Sequence, residues 1–430
     1  MKNRRQKRTW YKLDNAAIMI PATTRGASTR VFRIVCELHE TVDPEVLQEA
    51  LDRTIWKFPH FNVVLRKGLF WYYLDSTNLM AKVSEDNLPP CAPLYIPGRR
   101  TLLYRVVYFN RRISLEMYHV LADGTGAFVF FRRMLVHYLE MKYGISASET
   151  IEKSSAEEKT DDAFRHFYQD AHFGRQLKSL RSMKAFRMKG EPDENFENHL
   201  VEIRVSAKAF IDLAHTYHVT AGELMCAMYI QALLREMTVR DRQSPIVISV
   251  PVNLRQYFPS ETTRNFFSTI RIMYQATDYD GTLASILPHV HEGFGETLQK
   301  ESIQQSMNAM AALEYNPALR VVPLVLKDVI IGSFARAAEK GISGTVSNLG
   351  RITMPSECTP YIDRFAAYMS KPDSQLCICS YQDEMIFGYC DGRRDHNVIL
   401  QFVRTLIDNG LAVDITSNDY DNKEDNHAVL

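Results

Sequence analysis

The chain is 430 residues long, more than a single hydrophobic core usually supports, which points to two domains or one large bilobal protein. Apolar residues make up 46% and charged residues 24%, which allows a sizeable core and excludes a disordered chain. Its 51 basic residues cancel its 51 acidic ones, so no global field draws in nucleic acid or an anionic membrane, and a small polar or amphiphilic substrate fits better.

The opening stretch, MKNRRQKRTWYKLDNAAIMI, is basic like the n-region of a signal peptide, but charged and polar residues stand where a long apolar region belongs. No run approaches about 18 apolar residues, so neither export nor an integral membrane segment is expected. VFRIVCEL at 31–38 reads as a strand, and Asp43 caps a helix with Val46, Leu47, Ala50, Leu51 and Ile55 on one face. FNVVLRKGLFWYYLD reads as a hairpin around Lys67 and Gly68, and LLYRVVYF with RISLEMYH as another around Asn110 and Arg111. From Gly124 to about Tyr143 the pattern is helical with a wide apolar face, entered from the strand through a short ADG turn.

Residues 145–198 are polar and charged, and the crossover between two halves falls there. The second half repeats the alternation, with helices at about 207–217 and 221–237 and strands at 245–250 and 269–274. Helical patterns run from about 282 to 340. GTVSNLG then reads as a short strand and turn, QLCICSYQDEMIFGYC as a hairpin around Gln382 and Asp383, and 396–408 as a last helix. The expected organisation is a first lobe at 1–170, a linker at 171–198, a second lobe at 199–415 and a disordered acidic tail at 416–430. The fold class is α/β (α+β): two similar lobes, each a mixed sheet flanked by helices.

The seven cysteines, Cys36, Cys91, Cys226, Cys358, Cys377, Cys379 and Cys390, form neither a disulfide framework nor a zinc pattern, so a reducing, cytoplasmic setting is expected. His215 with His218 and His289 with His291 lack a third ligand, and no metal is expected. GxSxG, P-loop and GxGxxG patterns are absent, which removes the basic parts of serine hydrolases, nucleotide hydrolases and Rossmann oxidoreductases.

The sharpest local feature is HVLADG, with His119, Asp123 and Gly124 between a strand and a helix. An imidazole titrating near 6.5 accepts a proton at neutral pH when a second group fixes its ring and the substrate lies within hydrogen-bond reach. Asp123 either orients the ring or pairs with an arginine to hold the turn, the second being favoured, and Gly124 permits a close backbone approach. The same residues also fit a sheet-edge histidine and a helix N-cap without chemistry.

With these landmarks the sequence resembles the chloramphenicol acetyltransferase-like superfamily of alcohol acetyltransferases, wax-ester synthases, polyketide-associated acyltransferases and peptide-synthetase condensation domains, over nearly its whole length. HVLADG looks like the HxxxDG motif, PVNLR at 251–255 like the segment after a core strand of the second half, and SNLG at 347–350 like the C-terminal motif of the acetyltransferase and wax-synthase branches. The resemblance implies a tunnel between the lobes with His119 at its middle, and direct attack of a deprotonated acceptor on a thioester without an acyl-enzyme. It further implies a structural Asp123, with Arg255 as its ion-pair partner and Asn253 in support. Ser347, Asn348 and nearby backbone N–H groups are oxyanion candidates.

Asn253, Arg255 and Asn265, in RNFFS, fit strand caps and surface pairs equally well without the resemblance. Tyr118 replaces the first histidine of the HHxxxDG form, and DFGWG is absent, which weighs against peptide-synthetase condensation. The expected reaction moves an acyl group from acyl-CoA to an alcohol or amine, in the manner of secondary metabolism, with no permanently bound cofactor. The alternatives are a donor held on the phosphopantetheine arm of an acyl carrier protein, for which the basic segment 175–189 offers a docking patch, and a non-catalytic binding protein of the same fold.

Overall fold

A computed structural model describes residues 9–26, 28–148, 156–169, 184–191, 193, 198–315, 320–370, 374–393 and 396–418. The first half forms β1 (Trp10–Lys12), α1 (Asn15–Thr23), β2 (Val31–Leu38), α2 (Pro44–Ile55), β3 (Val63–Lys67), β4 (Tyr72–Ser76), β5 (Ser84–Glu85), β6 (Tyr104–Phe109), β7 (Arg112–Tyr118) and α3 (Gly124–Tyr143). Two short helices follow, α4 (Ala156–Thr160) and α5 (Ala163–Phe167). The second half forms β8 (His199–Ser206), α6 (Ala207–Thr216), α7 (Ala221–Glu236), β9 (Ile246–Asn253), β10 (Phe267–Tyr274), α8 (Leu287–Thr297), α9 (Lys300–Tyr315), α10 (Leu324–Glu339), β11 (Gly344–Arg351), β12 (Ile362–Met369), β13 (Gln375–Tyr381), β14 (Glu384–Asp391), α11 (Asn397–Asp408) and β15 (Asp414–Ser417).

The mixed α/β architecture is the one expected. A five-stranded sheet has the order β12-β2-β7-β6-β5, a seven-stranded sheet the order β10-β9-β11-β13-β14-β8-β15, and a small sheet the order β1-β4-β3. Parallel pairing joins β9 to β11 and β11 to β13, while the hairpins pair antiparallel. The hairpin turns at Asn110 and Gln382 carry positive φ of 50° and 54°, the left-handed backbone that tight hairpin turns call for.

All eight residues of β2 are buried, including Arg33 and Glu37. Such charges are retained only with partners in place. Arg33 pairs with Glu116 at 3.1 Å and with Asp86. Glu37 and Glu202 share Arg112 and Arg364 at 2.7–3.3 Å, and Tyr368 donates to Glu202 at 2.6 Å, so a buried ionic square joins β2, β7 and β12 to β8 of the other sheet.

Several expectations are corrected. Strand β12 lies within residues assigned to the second lobe but pairs with β2 in the first sheet. IDRFAAYM received no element from its sequence, and its Arg364 pairs with Glu37 and Glu202 from distant strands as well as with the neighbouring Asp363. GTVSNLG is not a short strand and turn but part of an eight-residue strand, with a register shift between Asn348 and Gly350. The opening stretch, given no element from its sequence, holds β1 and α1. Thr416 and Ser417 pair with β8, so the tail begins later than 416, and 419–430 lie outside the described residues, as does most of the basic segment 175–189. No helix among the described residues is long and apolar enough to cross a membrane.

The two halves meet where the start of α3 abuts the loop 262–266. A Cβ on Gly126 would stand 1.9 Å from the Thr263 carbonyl oxygen, whereas one on Gly124 would meet only Leu349 at 3.8 Å. The close approach assigned to Gly124 therefore belongs to Gly126. Gly126→Ala is expected to lower the unfolding free energy by about 2–3 kcal/mol, because backbone must shift to admit the methyl, while Gly124→Ala is expected to be mild. Urea denaturation of both proteins checks the pair, and equal stabilities would contradict this packing.

Candidate active site

His119 follows the last residue of β7 in the link to α3. Its backbone N–H donates to the Arg30 carbonyl at 3.0 Å, and Leu121 closes a turn onto Tyr118 at 2.9 Å, so the ring is carried on fixed backbone. The half-buried imidazole lies edge-on to Phe32, with ring centroids 5.2 Å apart, and 5.3 Å from Phe267 of the second half.

Asn265 Oδ1 lies 2.9 Å from His119 Nδ1, and Asn265 Nδ2 donates to Asp14 Oδ2 at 3.1 Å. The order of donors follows from chemistry: an ionised carboxylate only accepts, so the amide nitrogen faces Asp14 and its oxygen faces His119. Nδ1 then carries the proton, and Nε2 holds the lone pair. Asp14 is fully buried, caps α1 by accepting from Ala17 N at 2.8 Å, and lies 3.6 Å from Arg264 Nε. Burial pushes its pKa up to about 6, against the opposing pull of Arg264 and the Ala17 N–H.

Asp123 performs a different task. Its Oδ1 accepts from Gly126 N at 2.9 Å, capping α3, and its Oδ2 accepts from Arg255 Nη1 and from Phe266 N, both at 2.8 Å. Of the two roles open to Asp123, the geometry has the arginine pairing. Arg255 also donates to the carbonyls of Thr262 and Arg264 at 2.9 and 2.7 Å, wrapping the loop that presents Asn265. Asn253 Oδ1 accepts from Arg255 N and Nη1, and its Nδ2 donates to Thr125 Oγ1 at 3.3 Å. His60 buttresses the same loop, with Nε2 2.7 Å from Thr263 Oγ1, and burial drives its pKa down to about 3, which keeps it neutral.

Ser347 and Asn348 lie on β11, one half-buried and the other exposed, and Asn348 Oδ1 is engaged by Gly350 N at 2.7 Å. Two clefts are lined by residues adjacent in sequence to the site groups. One, of ≈ 710 Å³, is lined by Leu13, next to Asp14, and by Trp10, Phe70, Trp71, Tyr72 and Tyr73. The other, of ≈ 350 Å³, is lined by Gly124 and Thr125, next to Asp123, and by Phe128, Arg132, Leu349 and Arg351.

Sequence reasoning missed Asp14 and left Asn265 open between roles. The N-cap signature of Asp14 ahead of NAAIMI was available, but nothing local connects it to a partner 251 residues away.

The raised pKa of Asp14 sets a sign. A carboxyl whose folded pKa lies above the ordinary 3.8 binds its proton more tightly when folded, so its contribution to stability is full below about pH 4 and is lost as pH rises through about 6. Asp14→Asn should therefore remove a loss of about 3 kcal/mol between pH 4 and 7, the equivalent of moving a carboxyl from 3.8 to about 6. Chemical denaturation of both proteins across that range tests it, and parallel profiles would refute the buried carboxyl.

No protein-family model matches the chain, and no curated protein matches it in sequence. Solved structures match over nearly its full length. The TRI3 trichothecene 15-O-acetyltransferase from Fusarium sporotrichioides aligns with TM-score 0.62 at 9% identity, covering 94% of each chain. The first condensation domain of the calcium-dependent antibiotic synthetase aligns with TM-score 0.63 at 12% identity, covering 94% of this chain and 99% of that one. F. graminearum TRI101, in a complex with coenzyme A and T-2 mycotoxin, aligns with TM-score 0.63 at 11% identity, covering 91% and 96%. The chain thus has the fold shared by these acetyltransferases and condensation domains.

Proposed function

We propose that this protein is a cytoplasmic acyltransferase that moves an acyl group from a thioester, acyl-CoA in the first instance, to an alcohol or amine, with His119 as general base. The observation that carries the reading is the relay from Asp14 through Asn265 to His119 Nδ1, which leaves Nε2 as the proton-accepting nitrogen. The acetyltransferase neighbours, one of them bound to coenzyme A, support the donor class.

In this reading His119 Nε2 removes the acceptor's proton as the acceptor oxygen or nitrogen attacks the thioester carbonyl. The tetrahedral oxyanion collapses, the carbon–sulfur bond breaks, and the imidazolium returns its proton to the leaving thiolate, so the enzyme ends unchanged. Ser347, on the strand whose Leu349 borders the start of α3, is the proposed oxyanion donor together with backbone N–H groups; Asn348 is already turned to Gly350. Arg132 and Arg351, at the smaller cleft, suit the phosphates of coenzyme A. Asp123, Arg255 and Asn253 position the loop rather than touch substrate.

The test follows thiol release from acetyl-CoA and longer acyl-CoAs against a panel of alcohols and amines. Acceptor-dependent release is expected, and His119→Ala should reduce it at least about a hundredfold with the melting temperature nearly unchanged. Full transfer by that variant would sink the mechanism; silence of the wild type would shift the reading to a carrier-protein donor or a binding role.

Asp14→Asn gives a finer check. An amide in place of the carboxylate puts two N–H donors face to face, so Asn265 turns over and presents its N–H to His119 Nδ1, which moves the ring proton to Nε2. A fall in kcat approaching that of His119→Ala is expected, with KM little changed; wild-type turnover would remove the relay from the mechanism.

A further inference from the structure

Helix α10 reverses the usual arrangement of an amphipathic helix. Val325, Leu326, Val329, Ile330 and Phe334 are 64, 57, 62, 41 and 56% exposed, while Lys327 is 4% exposed. The spacing places the five apolar residues on one stripe. Lys327, at the border of that face, turns inward, with its ammonium 3.3 Å from the centre of the Trp71 ring and donating to the Phe70 carbonyl at 3.0 Å.

The stripe continues beyond the helix. Leu324 N donates to Leu69 O at 2.8 Å, which holds the tip of the β3–β4 hairpin against the start of α10, and Leu69, Phe70 and Val321 are also exposed. Trp10, 61% exposed, meets Leu69 and Phe70 at the larger cleft. Single exposed apolar residues are ordinary, but an area this continuous around the mouth of a cleft marks an interaction surface.

Charge identifies the partner. Lys12 and Arg320 stand at the cleft, and Arg336 and Lys340 are exposed toward the end of α10. The acids of the helix are engaged: Asp328 accepts from Lys67 at 3.3 Å and from Tyr72 at 2.9 Å, and Glu339 pairs with Arg30 at 2.6 Å. A formal charge of zero for the whole chain therefore conceals a local basic excess around an apolar face. Those are the two attractions that together hold a protein stably in a membrane interface, where either alone is marginal.

We propose that α10 and the Leu69–Phe70 tip dock in the plane of an anionic lipid bilayer, with the mouth of the larger cleft against the lipid. The 16-residue helix, with Lys327 and Asp328 on its inner side, lies in the surface and does not span it. The docking stands independently of the acyl-transfer reading; where both hold, the substrate entering by that cleft is lipophilic.

The experiment mixes the full chain, without substrate, with vesicles of phosphatidylcholine and of phosphatidylcholine with phosphatidylserine, and measures co-sedimentation. Binding at least about tenfold stronger to the anionic vesicles, weakened by salt, is expected. The double variant V329D/F334D should lose at least about tenfold in binding with unchanged melting temperature and solution mass, while Val239→Asp, at a residue 88% exposed elsewhere, should bind as wild type. Should the double variant misfold, quenching by brominated lipid of the Trp56→Phe protein, in which only Trp10 and Trp71 emit, reads the same contact. Absence of wild-type binding, binding indifferent to the double variant, or absence of quenching would each overturn the proposal. So would a wild-type dimer that the double variant converts to monomer, since a second copy would then cover the face. Transfer to soluble acceptors is measured separately, so failure here leaves that reading intact.

Discussion

The arrangement of the candidate site depends on one carboxylate. Asp123 caps α3, accepts from Arg255 and accepts from the Phe266 N–H, so a helix start, a cation and a loop backbone from both halves converge on two oxygens. Bonds of this kind involve ionised partners and are roughly twice as strong as neutral ones. The whole set is mutually dependent: without the carboxylate, Arg255 becomes a largely buried cation with only carbonyls around it, and the loop loses its anchor one residue from Asn265. Gly126 is the steric counterpart, because only an unsubstituted Cα lets the Thr263 carbonyl come as near as these bonds require.

From that anchor the relay to His119 has a particular electrostatic character. A carboxylate hydrogen-bonded directly to an imidazole fixes its tautomer and also stabilises its charged form, which raises its pKa. Here a neutral amide makes the contact and the carboxylate of Asp14 stands one residue further back. The tautomer is still dictated, since the amide is oriented by an acceptor, and a ring held in one tautomer presents one fixed nitrogen to a proton donor.

Much of the fold was legible because its elements are patterned locally. The hairpins at Asn110 and Gln382, helix α3 and helix α2 with its Asp43 cap each declare themselves within about twenty residues. What was not legible depends on partners far along the chain. Strand β12 carries Arg364 in mid-run, which reads as a break until Glu37 and Glu202 are brought beside it. Gly388, where a Cβ would stand 2.2 Å from the Ala367 carbonyl, marks the same crossing and gives no sign of it in sequence. At the site, the HxxxDG spacing and the PVNLR segment located His119, Asp123 and Arg255, whereas the group that orients the imidazole came from a loop 146 residues away.

The surroundings of the relay are asymmetric, and that asymmetry bears on direction. The larger cleft presents indole, phenol and phenyl surface with Lys12 and Arg320 at its edge, while the smaller presents Arg132 and Arg351 beside the positive end of the α3 dipole. On the proposed chemistry, a polyanionic, strongly hydrated donor such as coenzyme A gains from the arginines and the helix start of the second. An amphiphilic acceptor gains by burying its apolar body against the aromatic walls and has nothing to offer two arginines. On the proposed chemistry, the two co-substrates are therefore sorted before they meet, the charged one by the α3 side and the apolar one by the α1 side.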